Sequence, residues 1–183
     1  MDKIPSRERR ASAPTRRELI TGATIAVGSL AVGLRLQAKT QQPSMKETPA
    51  TERNKERTSL HQEVDFKATP ARVYEVLLDS KQFASFTGMP AEIDANAGGA
   101  FYVFQGMIVG RTVELVADQR IVQAWRPAAW PPGIYSLVKF ELKPNGSGST
   151  VVLDHTSFPQ GDYDHLSLGW KDHYWEPLKK FLA

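Results

Sequence analysis

The chain has 183 residues, 41% apolar and 23% charged, with a formal net charge of +3, a composition that suits one globular domain with a sizeable core. It contains no cysteine, which excludes disulfide frameworks, thiol nucleophiles, zinc knuckles and iron–sulfur ligation together. Residues 1–58 hold 12 Lys and Arg against 6 Asp and Glu, whereas residues 59–183 hold 11 against 14; the basic excess belongs to the leader, and no nucleic-acid partner is indicated.

Residues 1–38 read as a leader. Arg7, Arg9, Arg10, Arg16 and Arg17 precede a mild apolar run from Leu19 to Leu34 that Gly22, Gly28 and Gly33 dilute. A positive segment before ~7–15 apolar residues is the layout of an export signal. Thr15-Arg16-Arg17-Glu18-Leu19-Ile20 resembles the twin-arginine consensus. The run is too short and too rich in glycine for a membrane span of about 20 strongly apolar residues. The leader therefore predicts a periplasmic or otherwise exported protein whose partner is the twin-arginine export machinery. Leu36-Gln37-Ala38 places a bulky residue where a cleavage site wants a small one, which leaves a retained, membrane-anchoring leader open. Translation from Met45 would instead give a cytoplasmic protein.

Residues 39–58 contain no Trp, Phe, Tyr, Leu, Ile or Val. They have nothing to bury against the entropy of ordering, and they read as a disordered linker.

The domain runs from 59 to 183. Leu60 to Lys67 reads as a strand. Thr69-Pro70 then opens a helix with Thr as cap and Pro at its first turn. Asp79-Ser80 breaks that helix and caps a short second one from Lys81 to Phe86, which Gly88 and Pro90 end. From Ala91 the period changes to alternation. Strands are predicted at 91–94, 100–105, 109–116, 120–126, 134–142 and 150–157, separated by turns rich in Gly and Asn. Such short separators predict an antiparallel meander, and no stretch between the strands is long enough for a helical crossover. Leu166 to Leu182 reads as a long helix. Leu166, Trp170, Tyr174, Pro177, Leu178, Phe181 and Leu182 fall on one face, within an arc of about 160°, and Pro177 should bend it. The fold class is α+β: a curved antiparallel sheet of six or seven strands gripping the last helix, with two short helices after the first strand.

That order, and several stretches within it, resemble the helix-grip or START-like (SRPBCC) superfamily. More narrowly they resemble the domain shared with the C-terminal part of the activator of the heat-shock-protein-90 ATPase. The stretches include His61-Gln-Glu-Val-Asp-Phe-Lys-Ala-Thr-Pro-Ala-Arg-Val-Tyr74, Phe83-Ala-Ser-Phe-Thr-Gly88 and Gly98-Gly-Ala-Phe101. Gly110-Arg-Thr-Val-Glu-Leu115, Arg120-Ile-Val-Gln-Ala-Trp-Arg126 and Gly169-Trp-Lys-Asp-His-Tyr-Trp-Glu-Pro-Leu-Lys-Lys-Phe181 continue it to the end of the chain. The superfamily includes lipid and hormone carriers, polyketide cyclases and co-chaperones, so the resemblance implies a fold rather than one activity. It also implies a tunnel for an apolar ligand between the sheet and the long helix. Trp125, Trp170 and Tyr174 are then its candidate walls, with His155 and Arg126 as candidate polar contacts. The same rings serve equally well to fill a solid core.

The chemistry-bearing residues are sparse. His155 shares its strand parity with Val151 and Leu153 and should point inward, where a lone histidine is usually a hydrogen-bonded core residue. His173 sits at the edge of the last helix's apolar face. Asp162, Asp164 and His165 precede that helix and read as helix-start residues rather than metal ligands. Trp130-Pro131-Pro132-Gly133 is a stiff loop, either an exposed tip or a turn covered by its own ring. There is no nucleophile elbow and no phosphate loop; no catalytic set, metal or cofactor is indicated, and oligomeric state is left open. Three functions compete: a non-catalytic binding domain for an apolar small molecule or polypeptide segment, a cyclase- or dehydratase-like enzyme using His155, and a co-chaperone-like ATPase activator. The first accords best with many rings and few convergent ionisable groups, and an exported address argues against the third.

Overall fold

The structure is a computed structural model that describes residues 50–183. The expected leader, 1–38, and the first part of the linker lie outside the described residues. The last part of that linker departs from expectation: Ala50–Lys55 forms a short helix, α1. It is held by polar and cation–π contacts rather than by apolar burial. Gly161 N–H donates to the Lys55 carbonyl (2.9 Å), Asn54 Nδ2 donates to Asp164 (2.7 Å), and the Arg57 guanidinium lies 3.7 Å from the Tyr163 ring centre. A reading based on missing apolar residues could not see partners more than a hundred positions away.

Strand β1 (Ser59–Phe66) leads into α2 (Pro70–Leu78) and α3 (Ser80–Thr87). Both helices begin on the residues their sequences offer. The Thr69 hydroxyl accepts from Arg72 N–H, and the Asp79 carboxylate accepts from Gln82 N–H at 2.8 Å, each satisfying a helix-terminal donor. Gly88 closes α3 at φ 71°, where a side chain would be strained. The meander then runs β2 (Glu92–Ile93), β3 (Ala100–Val103), β4 (Ile108–Val116), β5 (Arg120–Pro127), β6 (Ser136–Asn145) and β7 (Gly148–Thr156). The seven strands form one antiparallel sheet in the order β1-β7-β6-β5-β4-β3-β2. A register shift between Thr112 and Glu114 marks a bulge on β4, a device that bends a strand and lets a sheet curve.

The closing helix is regular only at its ends. α4 (Tyr163–Gly169) and α5 (Glu176–Phe181) flank a π-helical segment, Trp170–Trp175. Pro177 has no N–H and would clash with the carbonyl four residues back in an ordinary α-helix. The wider turn places the change of pitch just before it, with Glu176 N–H donating to the Lys171 carbonyl five residues back. This corrects the regular arc read from the sequence. The π turn brings Trp175 into the core at 3% exposure and leaves Phe181, assigned to the buried face, 37% exposed. Leu166, Trp170, Tyr174 and Leu178 are buried as expected. The helix lies on the concave side of the sheet, the helix-grip arrangement.

Candidate functional site

Trp125 on β5 and Trp170 on the π turn stack at 5.6 Å between ring centres, and Tyr174 follows at 4.3 Å from Trp170. These three residues do come together. His155 stands behind them. It is fully buried; Trp170 Nε1 donates to its Nδ1 (3.0 Å), while its Nε2 lies 2.7 Å from Ser136 Oγ. An indole N–H can only donate, so Nδ1 is the acceptor and the proton sits on Nε2. Ser136 Oγ passes the chain on by donating to the Trp125 carbonyl at 3.0 Å. Burial pushes the His155 imidazole down to about 3, because the charged form loses its hydration. Both nitrogens are occupied and the ring is neutral near pH 7, so His155 is a structural tie between sheet and helix rather than a polar contact for a ligand.

Arg126 takes no part in the pocket. Adjacent residues on a strand face opposite sides, so Arg126 leaves the side that Trp125 occupies. Its Nη1 donates to the Trp130 carbonyl (3.1 Å), and its guanidinium lies 5.8 Å from the Tyr135 ring. It braces the β5–β6 loop. Trp130 itself is half-buried, edge-on to Trp125 at 6.5 Å; the loop is covered by its own ring. Asp164, which the sequence grouped with Asp162 and His165, accepts from Asn54 instead.

The space between helix and sheet is not one tunnel. Beneath Tyr174, where Phe83, Phe101 and Phe140 converge, only about 10 Å³ is left, room for about one water. The real cavity lies to one side and holds about 330 Å³. Leu166, Gly169, Trp170, His173 and Tyr174 line it from the helix; Trp125, Phe104, Met107 and Ile108 line it from the sheet and the β3–β4 turn. Met89 and the loop residues Pro127, Ala128 and Ala129, together with His165, complete it. No Lys, Arg, Asp or Glu is in this lining.

Three wall features were not assigned from the sequence. Phe104 is buried with φ 54°, and Gln105 follows at φ 58°. A left-handed backbone at a bulky residue costs about 1–3 kcal/mol and persists only when surroundings impose it; here the Phe104 ring packs against Phe83 (5.5 Å) and Tyr174 (5.1 Å). Met89 and Met107 add adaptable thioether surface. Gly169 has ordinary helical φ (−58°), yet a Cβ there would meet nothing within 4 Å. A glycine inside a helix pattern was the one signal available for it.

The model of the family described as "Activator of Hsp90 ATPase homolog 1-like protein" matches residues 67–183. The chain belongs to this family. It is 25% identical over 115 residues to the human activator of 90 kDa heat shock protein ATPase homolog 1, covering 63% of this chain and 34% of that protein. Mouse homolog 2 is 28% identical over 124 residues, 68% of this chain and 38% of its own length. The chain thus spans little more than a third of these curated relatives. Among solved structures, an HSP90 activator from Plasmodium falciparum superposes with a TM-score of 0.66 at 22% identity, covering 69% of this chain and 96% of that one. That likeness establishes the shared fold.

Proposed function

We propose that this family member is a non-catalytic binding domain that holds an apolar small molecule in the cavity beside Gly169. One observation carries the reading: a cavity of about 330 Å³ walled by rings, methionines and small residues, with no fixed charge in its lining. Its size falls at the lower end of small-molecule sites, ~300–1,000 Å³, which favours a compact ligand over a polypeptide segment. A cyclase- or dehydratase-like reaction would need an acid or base free to exchange a proton; His155, the residue the sequence offered for it, has both nitrogens committed. Membership of the family supports a second reading, docking on a heat-shock-protein-90-type ATPase. Its check is whether the full chain stimulates such an ATPase.

The test of the binding reading is native mass spectrometry of the full-length chain purified from its own organism, beside a Gly169→Leu variant. A Cβ at 169 would meet nothing within 4 Å, so the larger leucine side chain is chosen to take up space on this wall. The wild type should carry a small molecule that denaturation releases and the variant should not; equal recovery from both, or none from either, rejects this site. We further propose that the protein acts outside the cytoplasm. Changing both Arg16 and Arg17 to Lys should shift it to the cytoplasmic fraction, and an unchanged distribution would remove the twin-arginine route.

A further inference from the structure

Sulfur in this chain is confined to methionine: there is no cysteine, and the four thioethers are Met1, Met45, Met89 and Met107. With no thiol to compete, thioethers are the side chains that a mild oxidant reaches first. Both methionines among the described residues, Met89 and Met107, line the cavity. They differ in access. Met89 is half-buried, whereas Met107 is 53% exposed at the end of the β3–β4 turn. Backbone hydrogen bonds fix Met107 there: its N–H donates to the Phe104 carbonyl (3.1 Å), and its own carbonyl accepts from Ala128 N–H (2.8 Å). Met107 is thus both part of the apolar wall and open to water. A sulfoxide at this position would place a strong polar acceptor on that wall, in a lining that holds no Lys or Arg to meet it. An apolar occupant would take water away from the new oxygen and return no hydrogen bond, which is unfavourable.

We propose that Met107 is a modification site: its oxidation to the sulfoxide by a peroxide loosens the cavity's hold on an apolar ligand, and reduction restores it. The proposal rests on the small-molecule reading above and adds a control on that site. In the forward step the Met107 sulfur attacks the O–O bond of hydrogen peroxide. An S–O bond forms, sulfur is oxidised by two electrons, and the peroxide is reduced to water. In the reverse step a thiol-dependent methionine sulfoxide reductase removes the oxygen as water while two thiols become a disulfide. The chain carries no thiol of its own, so this reductant comes from outside.

The full-length chain is treated with hydrogen peroxide, and sulfoxides are located by peptide mass spectrometry. Affinity for the uncharged apolar probe N-phenyl-1-naphthylamine is read by fluorescence. Met107 should oxidise at least about tenfold faster than Met89, because access governs the rate, and bound probe should slow it. Conversion of Met107 should weaken the probe about fivefold, equivalent to ~1 kcal/mol, and reductase treatment should restore the affinity. Met107→Leu, whatever its starting affinity, should lose nothing on peroxide treatment, whereas Met89→Leu should still show the loss. Met107→Gln, polar and of similar length, should weaken the probe without any peroxide. Full conversion with unchanged affinity, a loss that persists in Met107→Leu, or equal oxidation of Met107 and Met89 overturns the Met107 control and leaves the binding reading standing. A probe that does not saturate the wild type, or that Gly169→Leu binds equally well, overturns both. If oxidation lowers the melting temperature enough to unfold the chain, Met107→Gln decides.

Discussion

Beneath Tyr174 the helix and the sheet meet ring against ring, and Phe83, Phe101 and Phe140 leave about 10 Å³ between them. Toward α4 the same two layers stand around about 330 Å³. Tyr174 borders both spaces. The difference lies in what completes each wall: three phenylalanines on helix and strands close the first space, whereas the loop residues Ala128 and Ala129, with Gly169, leave the second open between its larger rings. A helix-grip fold can therefore be solid at one end and hollow at the other, and of these two ends the hollow one is where the proposed ligand would sit.

The comparison breaks most sharply at Trp170, which serves both regions. Trp170→Ala removes a ring that is 2% exposed and strands the His155 Nδ1 acceptor. It should cost about 3–5 kcal/mol in urea denaturation; a loss below ~1 kcal/mol would mean the ring only lines the void. His155 gives the next effect. The unfolded imidazole takes up a proton below about pH 6.5, whereas the folded one, held near 3 by burial, does not. Stability should therefore be fully present above about pH 6.5 and fall by up to ~1.4 kcal/mol per pH unit toward about pH 3. Between about pH 7 and about pH 4.5 the wild type should lose ~2–3 kcal/mol more than His155→Gln. A difference that does not vary with pH would contradict a buried neutral ring.

Two glycines sharpen the contrast. At Gly110 a Cβ would sit 2.1 Å from the Ala124 carbonyl oxygen and 2.4 Å from the Phe101 ring, so Gly110→Ala should destabilise by about 1–3 kcal/mol. Gly169→Ala, on the cavity wall, should stabilise by about 0.5–1 kcal/mol. Melting temperatures that move the same way for both would deny that one site is filled and the other open. The smallest effect belongs to Arg57 over Tyr163: Arg57→Ala should cost about 0.5–1 kcal/mol, and no change would show that α1 is not held by this contact.

Much of this architecture was readable in advance. Thr69, Asp79 and Gly88 end or begin helices for reasons contained in their own side chains and backbones, and alternation from Ala91 onward places the meander. The inward turn of His155 followed from parity on β7. Strand alternation also argued against placing Arg126 beside Trp125, and the structure puts it on the β5–β6 loop. The π turn was not readable: a fixed 100° per residue leaves Trp175 outside the apolar face, whereas the wider turn ahead of Pro177 brings it in. The docking of α1 escaped as well, because its contacts at Gly161, Tyr163 and Asp164 are chosen by three-dimensional proximity.

By itself the sequence determined the order of elements from Ser59 onward, the antiparallel connectivity and the family, since caps, turns and hydrophobic periods are properties of neighbours along the chain. Tertiary structure alone decided where the core closes and where it stays hollow. A void is a shortfall of volume among residues such as Met89, Ala128 and Gly169, which are distant in sequence, and no local pattern records how much space they leave when they meet.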